Sequence, residues 1–559
     1  MDGLRIVSLG GFSKVNGNMY LYHFLPEGKE ENDKILIIDC GVSFPGDDIF
    51  GVDLIIPDIS YLDGKKDKIA GIILTHGHED HIGALSFILP ELPERTPLYA
   101  PKLAGALIKD KLEENGIRVE INFFERGSNF SLGPFSITPV GVTHSMPDTF
   151  HFFIKTPVGN FYHGSDFKFD LTPPDGLAPE LSKIAALGSL GVTTLLSDCL
   201  GAENEGVSPS ESTLNQIFEN EIRTSKGRVF VTAISSNIYR WQKAIESSRK
   251  FNRKISLVGF SIQKNIRISN ELGYLGVKKE EFVDFKEAVK MTDKQITFLI
   301  AGSLGQTGSS LERVVLGKHK VKIREGDKVI FSSPDYIPGT GGAIYQLIDE
   351  LILQGAEVVY NESGQSLHVS GHAYREEMKL LINLTSPRFL LPIGGERRHA
   401  RQYANLAKAM GYRPEQILIP EAGAMPTFWS DGRVDLNFQY KARQVLIDGL
   451  GIGDVGKTVL RDRGILAKNG MVVIIIQTDS KNNNIVGQIE VVSRGFVYIK
   501  ENKRLLDQLR KKAEEIYRKQ SVPIFNLSHV RFRLQAETEE FIYQKTGREP
   551  MVLPVILKT

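Results

Sequence analysis

The sequence His76-Gly-His78-Glu-Asp80-His81 constrains the fold and chemistry of this chain more than any other six residues. It follows Ala70-Gly-Ile-Ile-Leu-Thr75, an apolar run rich in β-branched residues that predicts a buried strand. Catalytic metal ions require neutral imidazoles and carboxylates that a rigid element holds at its open end. Chance produces three histidines and one aspartate in this order on the order of once per several thousand such chains. The motif therefore predicts a metal site rather than a solvated polar loop.

The spacing within this motif suggests two ions. His76 and His78 alternate along the chain, so both can face one ion. Asp80 and His81 are displaced along the loop and can face a second ion at the two-metal spacing of about 3.5–4 Å.

Further ligands are expected in later loops that also follow strands. The candidates are His144 in Val142-Thr-His-Ser-Met-Pro-Asp148 and Asp166 in His163-Gly-Ser-Asp-Phe-Lys168. One aspartate carboxylate can bridge two ions. Asp39 ends the strand-like run Lys34-Ile-Leu-Ile-Ile-Asp39, and we expect it to orient a ligand histidine from behind.

The length of 559 residues predicts more than one domain, because single cores rarely grow beyond roughly 250–300 residues. Strands dominate the first part of the chain, whereas strands alternate with helix-compatible stretches after about residue 205, which predicts a parallel α/β unit. The apolar run Phe389–Ile393 and the following helix indicate that the first domain resumes. The predicted domains are residues 1–205 and 373–446 (one domain in two parts), 206–372 (an insertion) and 447–559 (a linker and a small α+β domain).

The composition mainly argues against particular classes of protein, such as disulfide-rich and membrane-spanning proteins. Cys40 and Cys199 are the two cysteines, too few for a disulfide framework, which favours a reducing compartment. The first residues do not resemble a signal peptide, and no run of 18 apolar residues occurs, so we expect a cytoplasmic location without membrane spans. The net charge of +1 neither indicates nor excludes nucleic acid as a partner.

Residues 39 to 166 resemble the metallo-β-lactamase superfamily. Ser197-Asp198 before the insertion and His368-Val-Ser370-Gly-His372 after it resemble the β-CASP nucleases. With Ile56-Pro-Asp58 and Ser493-Arg-Gly-Phe-Val-Tyr498, the similarity extends over essentially the whole chain and resembles the ribonuclease J family. This resemblance implies an α/β architecture: a metallo-β-lactamase αββα sandwich with an inserted β-CASP domain and a small α+β C-terminal domain.

The resemblance also implies roles for individual residues. One zinc ion would be held by His76, His78 and His144, and the other by Asp80 and His81, with Asp166 between them. His372 would be the general acid for the leaving oxygen, and Asp198 would hydrogen-bond within the metal site. The predicted phosphate pocket consists of His368, Ser370, Ser235 and Ser236; for the serines, ordinary turn capping is the alternative.

The chain departs from the family pattern in two places, one at an expected metal ligand and one in a loop whose lost acidic residue could alter access beside the site. The family has Pro-Ile-His-Gly-Glu where this chain has Pro392-Ile-Gly394-Gly-Glu396, so one expected histidine ligand is absent. Water, or else Glu396 or His399, could take its place, and we hypothesise that the second ion binds more weakly. The family loop Gly-Gly-x-Gly-Glu-x-Gly-x-Asn corresponds here to Gly10–Asn18, which lacks the acidic residue.

By resemblance, the chain is expected to be a metal-dependent RNA phosphodiesterase of RNA maturation and decay, with 5′-to-3′ exonuclease activity and internal cleavage as well. The expected substrate is single-stranded RNA with a 5′-monophosphate, and the expected assembly is a homodimer or homotetramer. One or two Zn²⁺ ions per subunit are expected, with Mn²⁺ or Mg²⁺ as alternatives. The competing hypotheses are a DNA-processing β-CASP nuclease, a weakly active RNA-binding scaffold and, least favoured, a small-molecule hydrolase.

Overall fold

The computed structural model describes residues 1–46, 49–333, 341–361, 366–441, 443–449, 451–496, 503–519 and 527–559. The chain divides into two compact units. Unit one comprises Met1–Phe44 with Leu54–Val445, and unit two comprises Pro45–Asp53 with Leu446–Thr559. Val497 and Tyr498 of the C-terminal motif lie outside the described residues. No helix in the described part of the chain has the length and apolar character needed to span a bilayer.

Strands and short helices alternate up to residue 198. The strands are β1 (Gly3–Gly10), β2 (Met19–Leu25), β3 (Lys34–Ile38), β4 (Leu54–Pro57), β5 (Ile69–Ile73), β6 (Leu98–Pro101), β7 (Ile121–Phe124), β8 (Phe130–Leu132), β9 (Phe135–Val142), β10 (Thr149–Thr156), β11 (Gly159–Gly164) and β12 (Thr194–Asp198). The helices are α1 (Glu79–Ile82), α2 (Leu85–Ile88), α3 (Lys102–Glu114) and α4 (Leu181–Gly188).

The rest of unit one consists of the insertion and the returning part of the sandwich. The insertion contains β13 (Val229–Ala233), β14 (Lys254–Val258), β15 (Ile296–Ala301), β16 (Lys328–Ser332), β17 (Glu357–Val359), α5 (Asn215–Thr224), α6 (Ile238–Lys250), α7 (Phe260–Glu271), α8 (Phe285–Ala288), α9 (Ser310–Val315) and α10 (Gly341–Leu353). The returning part contains α11 (Arg375–Thr385), β18 (Phe389–Ile393), α12 (Arg397–Ala409), β19 (Thr427–Trp429) and β20 (Val434–Asp435).

Two sheets form a sandwich with helices outside. The eight-stranded sheet has the order β20-β19-β1-β2-β3-β5-β6-β7, and the six-stranded sheet has the order β18-β12-β11-β10-β9-β8. Their facing sides share one apolar core that includes Tyr22 of β2 and Phe152 of β10. Helix α3 packs against β6 and β7, whereas α4, α11 and α12 cover the six-stranded sheet. The predicted αββα architecture is confirmed.

Strand register brings distant residues to one edge of the sandwich. β11, β12 and β18 are parallel neighbours, with Gly164 opposite Ser197 and Asp198 opposite Ile393. Because parallel strands end at the same edge of a sheet, the residues that follow these three strands lie side by side. Asp166 and Gly394 are therefore both close to Asp198, although more than two hundred residues separate Asp166 from Gly394 in sequence.

The insertion is a parallel five-stranded sheet of order β14-β15-β13-β16-β17, flanked by its helices. The three central strands, β13, β15 and β16, are short runs rich in β-branched and aromatic residues and are buried nearly throughout, as expected for parallel sheets covered on both faces. The predicted alternation of strands and helices is confirmed.

Unit two forms a small α+β core. The remaining elements of the chain are β21 (Gln444–Asp448), β22 (Gly451–Ile452), α13 (Lys457–Asn469), β23 (Met471–Thr478), β24 (Glu490–Arg494), α14 (Lys503–Lys519), α15 (Leu527–Thr546) and β25 (Met551–Lys558). The sheet has the order β24-β23-β25. Helices α14 and α15 bury apolar side chains such as Leu509 and Leu534 against it.

Candidate metal centre

Three imidazoles meet at the edge of the sandwich; those of His76 and His144 are buried and that of His78 is half-buried. His76 Nε2 lies 3.0 Å from His78 Nδ1, and His144 Nε2 lies 3.1 Å from the same nitrogen. Asp166 Oδ2 is 3.9 Å from His76 Nε2 and 3.7 Å from His144 Nε2. The ligand atoms of these four residues all lie within 4.8 Å of one another. The first motif and the two later candidates therefore converge.

The hydrogen bonds of these rings leave lone pairs, not protons, at their meeting point. His144 Nδ1 donates to the Gly371 carbonyl at 2.7 Å, which leaves its Nε2 bare. Thr75 Oγ1 donates to Asp39 Oδ2 at 2.8 Å and so accepts from His76 Nδ1 at 3.0 Å, which leaves that Nε2 bare as well. Two bare nitrogens thus face His78 Nδ1, which carries at most one proton.

Protonation does not relieve this crowding of lone pairs. Burial and the neighbouring histidines lower the pKa of His76 and His144 well below the usual value. Burial lowers the pKa of His78 to about 3. Zinc–nitrogen bonds of about 2.0–2.1 Å in a tetrahedral site place ligand nitrogens about 3.3 Å apart, close to the spacing here. The donor set therefore fits a divalent cation, and we call this group the first position.

Asp80 and His81 define a second position next to the first. His81 Nε2 lies 3.6 Å from Asp80 Oδ2 and 3.4 Å from Asp166 Oδ2, so Asp166 Oδ2 borders both positions. His81 Nδ1 donates to Asp39 Oδ2 at 2.7 Å. Asp39 is fully buried with φ of 61°, a left-handed conformation in which few residues other than glycine are found. Burial raises the pKa of Asp80 to about 6 against the opposing charge of His81.

Gly394 borders the second position where a ligand was expected. Its φ is 65°, and its N–H donates to the Gly11 carbonyl at 3.1 Å. A Cβ atom there would lie 3.6 Å from Asp198 Oδ1 and 3.8 Å from Asp166 Oδ1. Of the two protein groups considered as substitutes, His399 has its ring nitrogens beside Glu396 N and the Arg398 guanidinium instead.

His372 lies on the other side of Asp166. Its Nδ1 is 2.7 Å from Asp198 Oδ2, and its Nε2 is 4.0 Å from Asp166 Oδ2. Asp198 is fully buried and also accepts from Leu200 N at 2.8 Å. Burial lowers the pKa of His372, but the carboxylates of Asp198 and Asp166 outweigh it and raise the pKa to about 9. His372 therefore keeps a proton that can be directed toward the cluster.

The four residues of the predicted phosphate pocket make different contacts. Ser370 Oγ accepts from His372 N at 3.0 Å, so this hydroxyl shapes the turn that places His372. His368 Nδ1 lies 3.5 Å from the Arg240 guanidinium. Ser235 and Ser236 lie in the turn between β13 and α6, where the Ser235 carbonyl accepts from Trp241 Nε1.

Arg240 of α6 connects the beginning and end of the insertion, a role that the sequence did not reveal. Its guanidinium is fully buried and makes two bonds to Glu211, at 2.9 and 3.1 Å. It also donates to Ser332 Oγ at 2.8 Å and to the carbonyls of Leu367 and Val369 at 3.1 and 3.0 Å. Each of the three guanidinium nitrogens thus donates to at least one acceptor.

Further buried charges complete this arrangement. Glu377 accepts from Phe169 N at 2.7 Å and from Ser208 N at 2.7 Å. Lys168 Nζ donates to the Ser370 carbonyl at 3.1 Å, next to the turn that carries His372. We call these five charged residues the junction network: Lys168, Asp170, Glu211, Arg240 and Glu377.

Family models match four successive segments of the chain. Residues 35–186 match a beta-lactamase superfamily domain, and residues 226–351 match the ribonuclease J beta-CASP domain. Residues 362–420 match a Zn-dependent metallo-hydrolase RNA specificity domain, and residues 458–559 match the ribonuclease J C-terminal domain.

Full-length similarity decides the family. The chain is 38% identical to ribonuclease J of Thermus thermophilus over 100% of its own length and 96% of that protein. It belongs to the ribonuclease J family. Ribonuclease J2 of Bacillus subtilis is 33% identical, covering 100% of this chain and 99% of that relative.

A solved structure extends the similarity of fold beyond the ribonuclease J family sequences. A protein of unknown function from Enterococcus faecalis V583 superposes with a TM-score of 0.53 at 15% identity, covering 76% of this chain and 99% of that one. The fold class predicted from the sequence is therefore confirmed, and the full-length relatives confirm the predicted family.

Proposed function

We propose that this chain is a metal-dependent ribonuclease that hydrolyses the phosphodiester bonds of RNA. One observation carries the proposal: two bare imidazole nitrogens and Asp166 converge on His78, and a proton-bearing imidazole, His372, lies across Asp166 from them. Metal ligands on one side and a proton donor on the other are the groups that hydrolysis of a phosphodiester requires. Two sets of comparisons support RNA as the substrate, namely the ribonuclease J relatives and the RNA specificity domain.

In the proposed site His76, His78, His144 and Asp166 hold a zinc ion. Bound divalent ions lower the pKa of water toward neutrality and offset charge on phosphate oxygens. The protein contributes orientation: the Gly371 carbonyl fixes the His144 ring, and Thr75 fixes that of His76.

His372 is proposed to act as general acid. Asp198 holds its Nδ1, which fixes the ring plane and favours the protonated form. As water oxygen bonds to phosphorus and the bond from phosphorus to the 3′-oxygen breaks, His372 Nε2 gives its proton to that oxygen. The downstream product then carries a 5′-phosphate.

We further propose 5′-to-3′ exonuclease activity, with internal cleavage as well, on single-stranded RNA carrying a 5′-monophosphate. His368, Ser370, Ser235 and Ser236 are the proposed contacts of the terminal phosphate. A homodimer or homotetramer is the proposed assembly. Full-length relationship to the ribonuclease J proteins supports these finer proposals.

The test is a time course with one RNA sequence in 5′-monophosphorylated and 5′-triphosphorylated forms, beside DNA of the same sequence, with added Zn²⁺ or Mn²⁺. We expect mononucleotides to accumulate from the monophosphorylated RNA and the His78→Ala variant to be inactive. Preferred cleavage of DNA would favour the DNA-processing alternative. Metal-independent binding without cleavage would favour the scaffold.

A further inference from the structure

We propose that each subunit retains one divalent ion, at the first position, and binds a second ion at Asp80 and His81 far more weakly. This inference rests on the proposed function and concerns how many ions the site keeps. Three observations carry it: the neighbours of the ligand nitrogens at each position, the number of protein ligands, and the loop that borders Gly394.

The ligand nitrogen of the second position already has a protein partner. Asn18 Nδ2 lies 3.1 Å from His81 Nε2. The amide orientation is settled by two other bonds, because Nδ2 also donates to the Val15 carbonyl at 3.1 Å and Oδ1 accepts from Tyr20 Oη at 3.0 Å. Asn18 Nδ2 therefore occupies the side of His81 from which a second ion would have to approach Nε2.

At the first position, by contrast, two ring nitrogens share the single neighbour His78. His76 Nε2 and His144 Nε2 each have a ring nitrogen of His78 as their hydrogen-bonding neighbour, and the two bare nitrogens cannot both receive a proton from it. Buried lone pairs without a donor are costly, so a cation removes an unfavourable contact at the first position. At the second position a cation must instead displace an existing hydrogen bond.

The number of protein ligands points in the same direction. Four residues supply ligand atoms at the first position, whereas Asp80, His81 and the shared Asp166 supply them at the second. The Cβ direction of Gly394 points toward Asp198 and Asp166, so a side chain at residue 394 would begin beside the carboxylate that both positions share. With glycine there, that direction is open.

The loop between β1 and β2 borders the same position. Its Gly11 carbonyl accepts from Gly394 N at 3.1 Å, and its Asn18 N donates to the Asp80 carbonyl at 2.9 Å. This loop carries Lys14 where the family pattern has an acidic residue. The two departures seen in the sequence thus meet in space, at the hydrogen bond between Gly394 and Gly11.

Zinc binding to the metal-free, full-length protein tests the inference. We expect one equivalent of zinc per chain after exhaustive dialysis, and calorimetric titration should show a second equivalent binding at least about tenfold more weakly. Loss of a group that merely orients a ligand costs about 10–100-fold in affinity, and a missing ligand should cost no less. Gly394→His should raise the retained zinc to two equivalents. Gly394→Ala is the matched control, with the same backbone strain and no imidazole, and should retain one.

Asp80→Asn keeps the test decisive if Gly394→His fails to fold. Asp80 belongs to the second position alone, so this variant should still retain one equivalent. Two equivalents of equal affinity in the wild type would overturn the inference and leave the proposed function standing, and loss of the retained zinc in Asp80→Asn would overturn it too. A wild type that binds no zinc would overturn the proposed function itself.

Discussion

Unit one contains two buried clusters of polar side chains that look alike in composition and differ in how their atoms are paired. In the junction network Arg240 directs its N–H groups at Glu211, a hydroxyl and two carbonyls. At the first metal position, bare nitrogens of His76 and His144 face a third ring nitrogen of His78. A buried polar cluster that satisfies itself is structural, whereas one left unsatisfied indicates a missing partner.

The contrast predicts opposite responses to mutation. Removing one member of a satisfied network strands its partners in the interior and lowers stability. Removing one member of an unsatisfied cluster relieves repulsion in the metal-free protein and abolishes function instead.

His78→Ala should have the largest effect on activity. Without the nitrogen that His76 and His144 face, zinc retention is lost and RNA hydrolysis should fall by a factor on the order of a thousand or more, because bound metal contributes several kcal/mol. The thermal midpoint of the metal-free variant should equal or exceed that of the metal-free wild type. A lower midpoint would place this cluster in the same class as the junction network.

His372→Gln should lower kcat by about 10²–10⁴-fold, the usual contribution of a positioned general acid. Zinc retention should not change, because His372 contacts Asp198 and is not among the first-position ligands. Single-turnover RNA cleavage beside metal analysis separates the two effects. Unchanged kcat with wild-type metal content would remove His372 from the mechanism.

Arg240→Met should lower the free energy of unfolding by about 3–5 kcal/mol, because Glu211 is left buried without its counter-charge. Retained zinc should stay at the wild-type level. Chemical denaturation of the metal-free protein measures the first quantity. The control is the double variant Arg240→Met with Glu211→Gln, which should recover part of the loss; no recovery would mean that the carbonyl contacts dominate.

Asp39→Asn should have the smallest effect, weakening the second ion by about 10–100-fold. Asparagine tolerates the left-handed φ of 61°, so the variant changes the acceptor of His81 Nδ1 without adding backbone strain. At the first position Asp39 acts through Thr75, which orients His76, so the ion there should weaken less than the second ion. Zinc titration measures both steps, and equal weakening of both ions would contradict the separation of the two positions.

The sequence predicted the fold and the side chains that converge at the sandwich edge because both follow from short-range patterns. His76 comes directly after a buried strand, and His144 and Asp166 follow the ends of β9 and β11. Strands that end at one edge bring such residues together. The roles of these residues as ligands stay predictions until metal is measured.

The junction network escaped prediction because long charged side chains are almost always on the surface. Burial of Arg240 depends on acceptors at Glu211 and Leu367, which are distant in sequence. The Gly371 carbonyl that orients His144 has no side chain to signal its role. The contact between Gly394 and Gly11 likewise depends on tertiary structure alone.

The chain leaves the sandwich through Glu211 and returns through Val369, and Arg240 binds both segments. One arginine therefore binds both ends of the insertion. The rest of the insertion can change in length or sequence while the strand ends that carry His76 and Asp166 keep their positions. The position of His372 relative to the strand ends therefore depends on the same buried arginine that holds the two ends of the insertion together.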